Sequence, residues 1–181
     1  NVMAHGNTVL RQRMRSILKT AVHKQRGGLM RVLGIDFGGS GIKGAVVDSE
    51  NGELITERIR LATPEGARQL DGAGVVNELI KRHDWKGPVG MGFPSVVMRG
   101  TIYTAANIDK GWIGINAEEM LAQTTGTRFS VVNDADAAGI AEMRFGVGKE
   151  FKKGVVLFLT IGTGIGSAIF NDGILLPNTE L

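Results

Sequence analysis

Residues 35–44 read Ile35-Asp36-Phe37-Gly38-Gly39-Ser40-Gly41-Ile42-Lys43-Gly44, and the type of element that this glycine cluster opens decides the fold. Residues 31–37 form a short apolar run that ends in the glycines, and residues 42–48 form a second; both read as strands. Residues 39–44 also match the dinucleotide pattern G-x-G-x-x-G letter for letter. That pattern has physical meaning only where it opens a helix whose N-terminus receives a pyrophosphate. Here Ala45-Val46-Val47-Asp48 continues as a strand, so the dinucleotide reading fails, and no stretch fits a Walker A loop. What remains is a glycine turn between two antiparallel strands. Its backbone N–H groups are unobstructed by side chains and can wrap phosphate oxygens.

Working outward, Asn51-Gly52 separates the second run from a third at residues 54–61, a strong hairpin signal because both residues tolerate positive φ. The opening therefore reads as an antiparallel three-strand meander. Residues 67–83 read as a helix, residues 89–93 as a buried strand, residues 129–132 as another strand and residues 135–145 as the helix after it. A further helix begins at Asn116, its expected N-cap, with Glu119 placed as in a capping box. Strands alternating with helices after a meander indicate an α/β protein with a mixed sheet. Residues 155–160 and 167–170 then flank a second glycine turn, Gly162-Thr163-Gly164-Ile165-Gly166, of the same strand–turn–strand design.

The composition agrees. With 181 residues, 43% hydrophobic and 22% charged, the chain suits one ordinary domain and the beginning of another, not a disordered or fibrous protein. The absence of cysteine removes disulfides, thiol catalysis and cysteine-ligated metal, and His5, His23 and His83 lack metal-ligand spacing. No window of 18 apolar residues exists to span a membrane. The net charge of +3 averages two unlike pieces: residues 1–29 carry six basic residues and no acid, whereas residues 30–181 carry 15 basic against 18 acidic. Residues 8–25 have the spacing of a basic amphipathic helix. The leader reads as an upstream extension before a start at Met30, or as a targeting or polyanion-contacting segment.

Residues 35–43 resemble the first phosphate motif of sugar kinases in the actin, hexokinase and heat-shock ATPase superfamily. Within it the match is to the ROK family of repressors, open-reading-frame proteins and kinases. Residues 104–114 (TAANIDKGWIG), 132–139 (VNDADAAG), 160–167 and 177–180 (PNTE) narrow the resemblance to members that phosphorylate glucose with inorganic polyphosphate, often accepting ATP as well. It covers residues 30–181 with the motifs in family order. It implies a ribonuclease-H-like fold in two domains around a cleft: residues 30–150 as the first, after the basic extension 1–29, and residues 151–181 as the opening hairpin of the second. A Glu-x-Gly-His sugar motif would begin at Glu180, so the chain reads as an N-terminal fragment that alone lacks kinase activity.

The same resemblance implies the roles. Asp134 is the general base for the glucose 6-hydroxyl; Asn107, Asn133 and Glu180 hold the sugar. Gly38, Gly39, Ser40, Gly41, Lys43, Gly162, Thr163 and Gly164 grip phosphate, and Asp36 holds Mg2+ through water. It further implies a cytoplasmic homodimer that binds glucose and polyphosphate or ATP, but neither nucleic acid nor membrane. From the residues alone, alternatives stay open. Asp134 equally suits a helix cap, Asp136 is a second candidate base or a first-turn carboxylate favoured by the helix dipole, and the two Asn suit turns or caps. Asp36 suits a strand-end turn, Lys43 an exposed strand face, and Trp112 either a sugar-cleft wall or a core plug. An ATP-only or other hexose kinase is a rival. A repressor of the same family needs a helix-turn-helix module, for which residues 1–29 are too few.

Overall fold

A computed structural model describes residues 31–106, 108–161 and 164–179; the expected helix at 8–25 lies outside them. Strands β1 (Arg31–Phe37) and β2 (Gly41–Asp48) pair antiparallel from Arg31↔Asp48 to Phe37↔Ile42, as the glycine turn requires. Strand β3 (Ile59–Ala62) pairs with residues 41–44 of β2. It is shorter than the expected run at 54–61. Leu54 makes a single bridge to Val47, the Val46 carbonyl accepts the Ile55 N–H at 2.8 Å, and side chains then take the place of the ladder: the Val46 N–H donates to Thr56 Oγ1 at 3.0 Å, and the His83 ring spans Thr56 Oγ1 and the Gly44 carbonyl. With β2's polar groups satisfied in this way, the strand bulges off the sheet before rejoining it.

Helix α1 (Gln69–Arg82) leads to β4 (Val89–Phe93), which lies parallel to β1. A short ribbon of β5 (Val97–Met98) and β6 (Thr101–Ile102) precedes α2 (Ala117–Thr125), and β7 (Phe129–Asn133) then adds parallel to β4. The five-stranded sheet thus has the order β3-β2-β1-β4-β7, a ribonuclease-H-like mixed sheet. Strand alternation sends Leu33, Ile35, Phe37, Met91, Phe93 and Val131 to the face covered by α1 and α2. Trp112 is completely buried there, its ring 4.9 Å from Phe93 and 5.8 Å from Phe37, with its indole N–H donating to the Ala67 carbonyl at 2.8 Å. It is a core plug and lines no cleft.

Helix α3 (Asp134–Arg144) lies on the opposite face and also carries the second sheet. That sheet consists of β8 (Val155–Ile161), β9 (Ile165–Asn171) and β10 (Ile174–Leu176), in the order β10-β9-β8. The sequence pointed to two strands, with the second starting at Ser167. Instead β9 starts at Ile165, and β10, unforeseen, completes a three-stranded sheet whose Ala168 and Phe170 are buried beside Gly139 of α3. On β8 the residues Val155, Leu157, Leu159 and Ile161 form an exposed apolar row.

Candidate active site

The parallel strands β1, β4 and β7 point their C-terminal ends toward one edge, where α/β proteins place ligands. On the α3 side of the sheet, Asp36, Lys43, Arg58, Asp134 and Thr160 line one open cleft. Asp36 and Lys43 are direct cross-strand partners, joined at 2.9 Å between Nζ and Oδ2. Both are partly exposed, so this pair contributes about 0–1 kcal/mol to stability; its main effect is to hold the two groups beside the turn. Gly34, Gly90 and Gly92 floor the cleft, leaving space above the sheet.

Asp134 opens α3, but it does not cap it. The cap is Asn133, whose side-chain oxygen accepts from the Asp136 N–H at 3.0 Å. Its extended backbone (φ −57°, ψ 145°) is that of an N-cap, one residue before the point at which the sequence suggested one. Asp134 is left free to face the cleft. Although the residue presents an edge to solvent, partial burial raises its carboxyl above the ordinary carboxylate pKa; the Ala135 N–H, 2.9 Å away, opposes this, and the negative charge of Asp36 pushes it further up. A carboxylate made more basic in this way is suited to accept a proton. Asp136 is buried within the first turn of α3 and does not line the cleft.

The glycine turn is braced by its neighbours. Gly38 N–H donates to the Gly41 carbonyl at 3.2 Å, Thr63 Oγ1 to the Gly38 carbonyl at 2.5 Å, and Arg60 Nη2 to the Ser40 carbonyl at 2.8 Å. Among the described residues, the N–H groups of Gly39 and Ser40 have no internal acceptor. They are free to donate to an acceptor from outside the chain. Gly39 also borders a smaller cleft with Gly66, Ala106 and Asp109.

Asn133 is buried, unlike Asp134. Besides capping α3, it donates from Nδ2 to the Ser95 carbonyl at 3.1 Å; the Ser95 hydroxyl in turn donates to the Thr104 carbonyl, and Val96 N–H to Thr104 Oγ1 at 3.0 Å. Asn133 therefore ties the helix bearing Asp134 to the loop leading toward residue 107. Asn107, Gly162, Thr163 and Glu180 lie outside the described residues, while Gly164 borders the β8–β9 turn. Sequence reasoning missed Ser95, Thr63, Arg58 and Arg60. Of these only Arg58-Ile59-Arg60 carried a signal, since alternate residues of a strand share one face.

Among the described residues, no group of three or more His, Asp or Glu is arranged to hold a metal ion. The donor set still suits Mg2+, which keeps several waters and uses one or two carboxylates with substrate phosphates; Asp36 and Asp134 flank the cleft as hard oxygen donors. No helix of the described residues is long and apolar enough to cross a membrane.

A family model described as the ROK family matches residues 32–177. Over 148 residues the chain is 51% identical to a polyphosphate glucokinase of Mycobacterium tuberculosis, a match covering 81% of this chain and 56% of that protein. The crystal structure of an inorganic polyphosphate/ATP-glucomannokinase from Arthrobacter sp. strain KM superposes with a TM-score of 0.79 at 42% identity, covering 83% of this chain and 62% of that one. A ROK family glucokinase from Streptomyces griseus, in complex with glucose and AMPPNP, superposes with a TM-score of 0.69 at 29% identity, covering 83% and 47%. These solved sugar kinases share the actin/hexokinase-type fold. The chain spans about half the length of the curated relatives it matches.

Proposed function

Because the chain belongs to the ROK family, we propose that the complete protein phosphorylates glucose at its 6-hydroxyl, with inorganic polyphosphate and also ATP as phosphoryl donors. The observation that carries this reading is the convergence of Asp134, Asp36 and Lys43 in one cleft at the strand ends, beside a turn with unclaimed N–H groups. The similarity to a polyphosphate glucokinase and a polyphosphate/ATP-glucomannokinase supports the donor class.

In this reading the glucose 6-oxygen attacks the terminal phosphorus of the donor. The bond from that phosphorus to its bridging oxygen breaks, the donor leaves one phosphate shorter, and the hydroxyl proton passes to the Asp134 carboxylate. The N–H groups of Gly39 and Ser40 hold the donor's phosphate oxygens, with Gly38 and Gly41 shaping the turn and Lys43 adding positive charge. Asp36 would hold Mg2+, which when bound neutralises charge on the donor phosphates. Gly162, Thr163 and Gly164 complete the phosphate grip, and Asn107 and Glu180 hold the sugar. Asn133, expected to hold the sugar directly, is buried with its amide engaged by the Asp136 N–H and the Ser95 carbonyl; it serves the sugar site by fixing the loop and the helix around it.

We read residues 30–150 as the first kinase domain and residues 151–181 as the opening of a second. Such a domain would bury the apolar row of β8, which is exposed here. A cytoplasmic homodimer that binds neither nucleic acid nor membrane completes the reading. Phosphotransfer assays on the complete gene product, comparing polyphosphate with ATP across several hexoses, test it. The expected product is glucose 6-phosphate from both donors. Turnover with ATP alone would select a nucleotide-dependent glucokinase, and no turnover with any hexose would overturn the kinase assignment.

A further inference from the structure

From residue 30 onward the chain is net acidic, 15 basic residues against 18 acidic, and such a body repels a polyanion except where cations gather. Three of the basic residues stand together at the edge formed by β2 and β3. Lys43 on β2 and Arg60 on β3 are register partners, so their side chains leave the sheet on the same face. Arg58, two residues before Arg60, lines the cleft with Lys43. The Arg60 guanidinium lies over the phosphate turn itself: a Cβ at Gly41 would fall 2.6 Å from its carbon and from two of its nitrogens. Only glycine at 41 leaves that seat open. One guanidinium N–H is engaged by the Ser40 carbonyl, which leaves four of the five for another acceptor. The carboxylates lining the same cleft are Asp36, already paired with Lys43, and Asp134.

We propose that Lys43, Arg58 and Arg60 form a track along the β2–β3 edge that carries the outer phosphates of a linear polyphosphate chain, beyond the phosphoryl group being transferred. The proposal rests on the polyphosphate donor reading. A long chain spans the turn and both arginines, whereas a short one held at the turn meets fewer of these cations. Guanidinium forks suit the repeated phosphate oxygens of such a chain.

Calorimetric titration of the complete protein with tripolyphosphate and with long-chain polyphosphate, at two salt concentrations, tests the track. The variants are Arg58→Gln combined with Arg60→Gln, Arg60→Lys, and Arg128→Gln as a control. Arg128 is exposed and precedes β7, at the end of that strand away from the cleft. The double variant is expected to lose about tenfold or more in affinity for the long chain, about 1.4 kcal/mol, and only about threefold or less for tripolyphosphate. Its affinity should also fall less steeply with salt, as fewer counterions are displaced. The control should match the unsubstituted chain, and Arg60→Lys, which keeps the charge, should retain most of the long-chain affinity. Equal losses for both lengths, reproduced by Arg60→Lys, would make Arg60 only a brace of the turn and overturn the track. Long-chain binding unaffected in the double variant overturns the track but leaves the donor reading standing. No polyphosphate binding by the unsubstituted complete protein overturns both.

Discussion

Gly92 on β4 lies directly beneath Asp134: a Cβ at Gly92 would stand 3.4 Å from the Asp134 Cα and 3.6 Å from its Cβ. The first residue of α3 therefore rests on the sheet with no room for a branched side chain between them. Gly92→Ala fits at ordinary contact distance and should be tolerated. Gly92→Val forces α3 outward and should cost about 1–3 kcal/mol. In the complete protein, Gly92→Val should depress turnover beyond what its fraction unfolded explains, because Asp134 moves with the helix. Melting curves and turnover measured on the same preparations check this, and normal turnover in a destabilised Gly92→Val protein would argue against the placement.

Asp134→Asn keeps an oxygen that can accept from the Ala135 N–H but cannot take a proton. Removing a general base costs roughly 10² to 10⁴ in rate, so turnover of the complete protein should fall by about that factor with little change in glucose affinity. Since Asn133 is the helix cap, the substitution should not lower the melting temperature. Asp136→Asn behaves in the opposite sense. Its carboxylate is buried in the first turn of α3, so it should lose stability, about 1–3 kcal/mol, more than it loses turnover. If Asp136→Asn alone abolishes turnover, the base is misassigned.

The Asp134 carboxyl titrates above its ordinary value because burial and then the Asp36 charge disfavour its ionised form. A carboxyl whose pKa is raised on folding contributes stability that is present below the unfolded pKa and lost as pH rises through the folded one. Replacing it with Asn removes that loss. Asp134→Asn should therefore be more stable than the unsubstituted chain near neutral pH, and the two should converge below the ordinary carboxylate pKa. Denaturant titrations across this pH range measure the difference; a gap that widens on acidification contradicts the assignment.

Asn133 performs two tasks with one amide, capping α3 and holding the Ser95 carbonyl. Asn133→Ser retains a cap but not the reach to Ser95, whereas Asn133→Ala removes both. Loss of the cap alone costs about 1 kcal/mol, and each further buried partner left unsatisfied costs about 1–3 kcal/mol. Stability should fall in the order Asn, Ser, Ala. Equal stability of the Ser variant and the unsubstituted chain would show that the tether to Ser95 contributes nothing.

In the second sheet, β9 lies between β8 and β10 and buries Ala168 and Phe170. Its amides should exchange slowly, like those of β1 and β2, and not at the rate of an isolated hairpin. The edge strand β8 should exchange faster at its outward N–H groups. Uniformly rapid exchange across residues 165–171 would mean that the sheet does not hold against α3.

Much of this fold was legible in the order of residues because it depends on local chemistry. Short apolar runs marked β1, β2, β4 and β7, the glycine cluster at 38–41 marked a turn, and the strand after it excluded a dinucleotide site; each signal acts over a few neighbours in the chain. What the sequence alone left open was every choice made by distant partners. His83 and Thr56 displace the start of the third strand, separated as they are by 27 positions. Trp112 turns inward because Phe37 and Phe93 offer it a buried pocket. Asn133 takes the cap, and so frees Asp134 for the cleft, because Ser95 waits 38 positions away to satisfy the other half of its amide. Arg60 reaches the phosphate turn only because β3 folds back beside β2. Such pairings are decided by hydrogen-bond satisfaction and packing across the folded chain, which residue order alone does not specify.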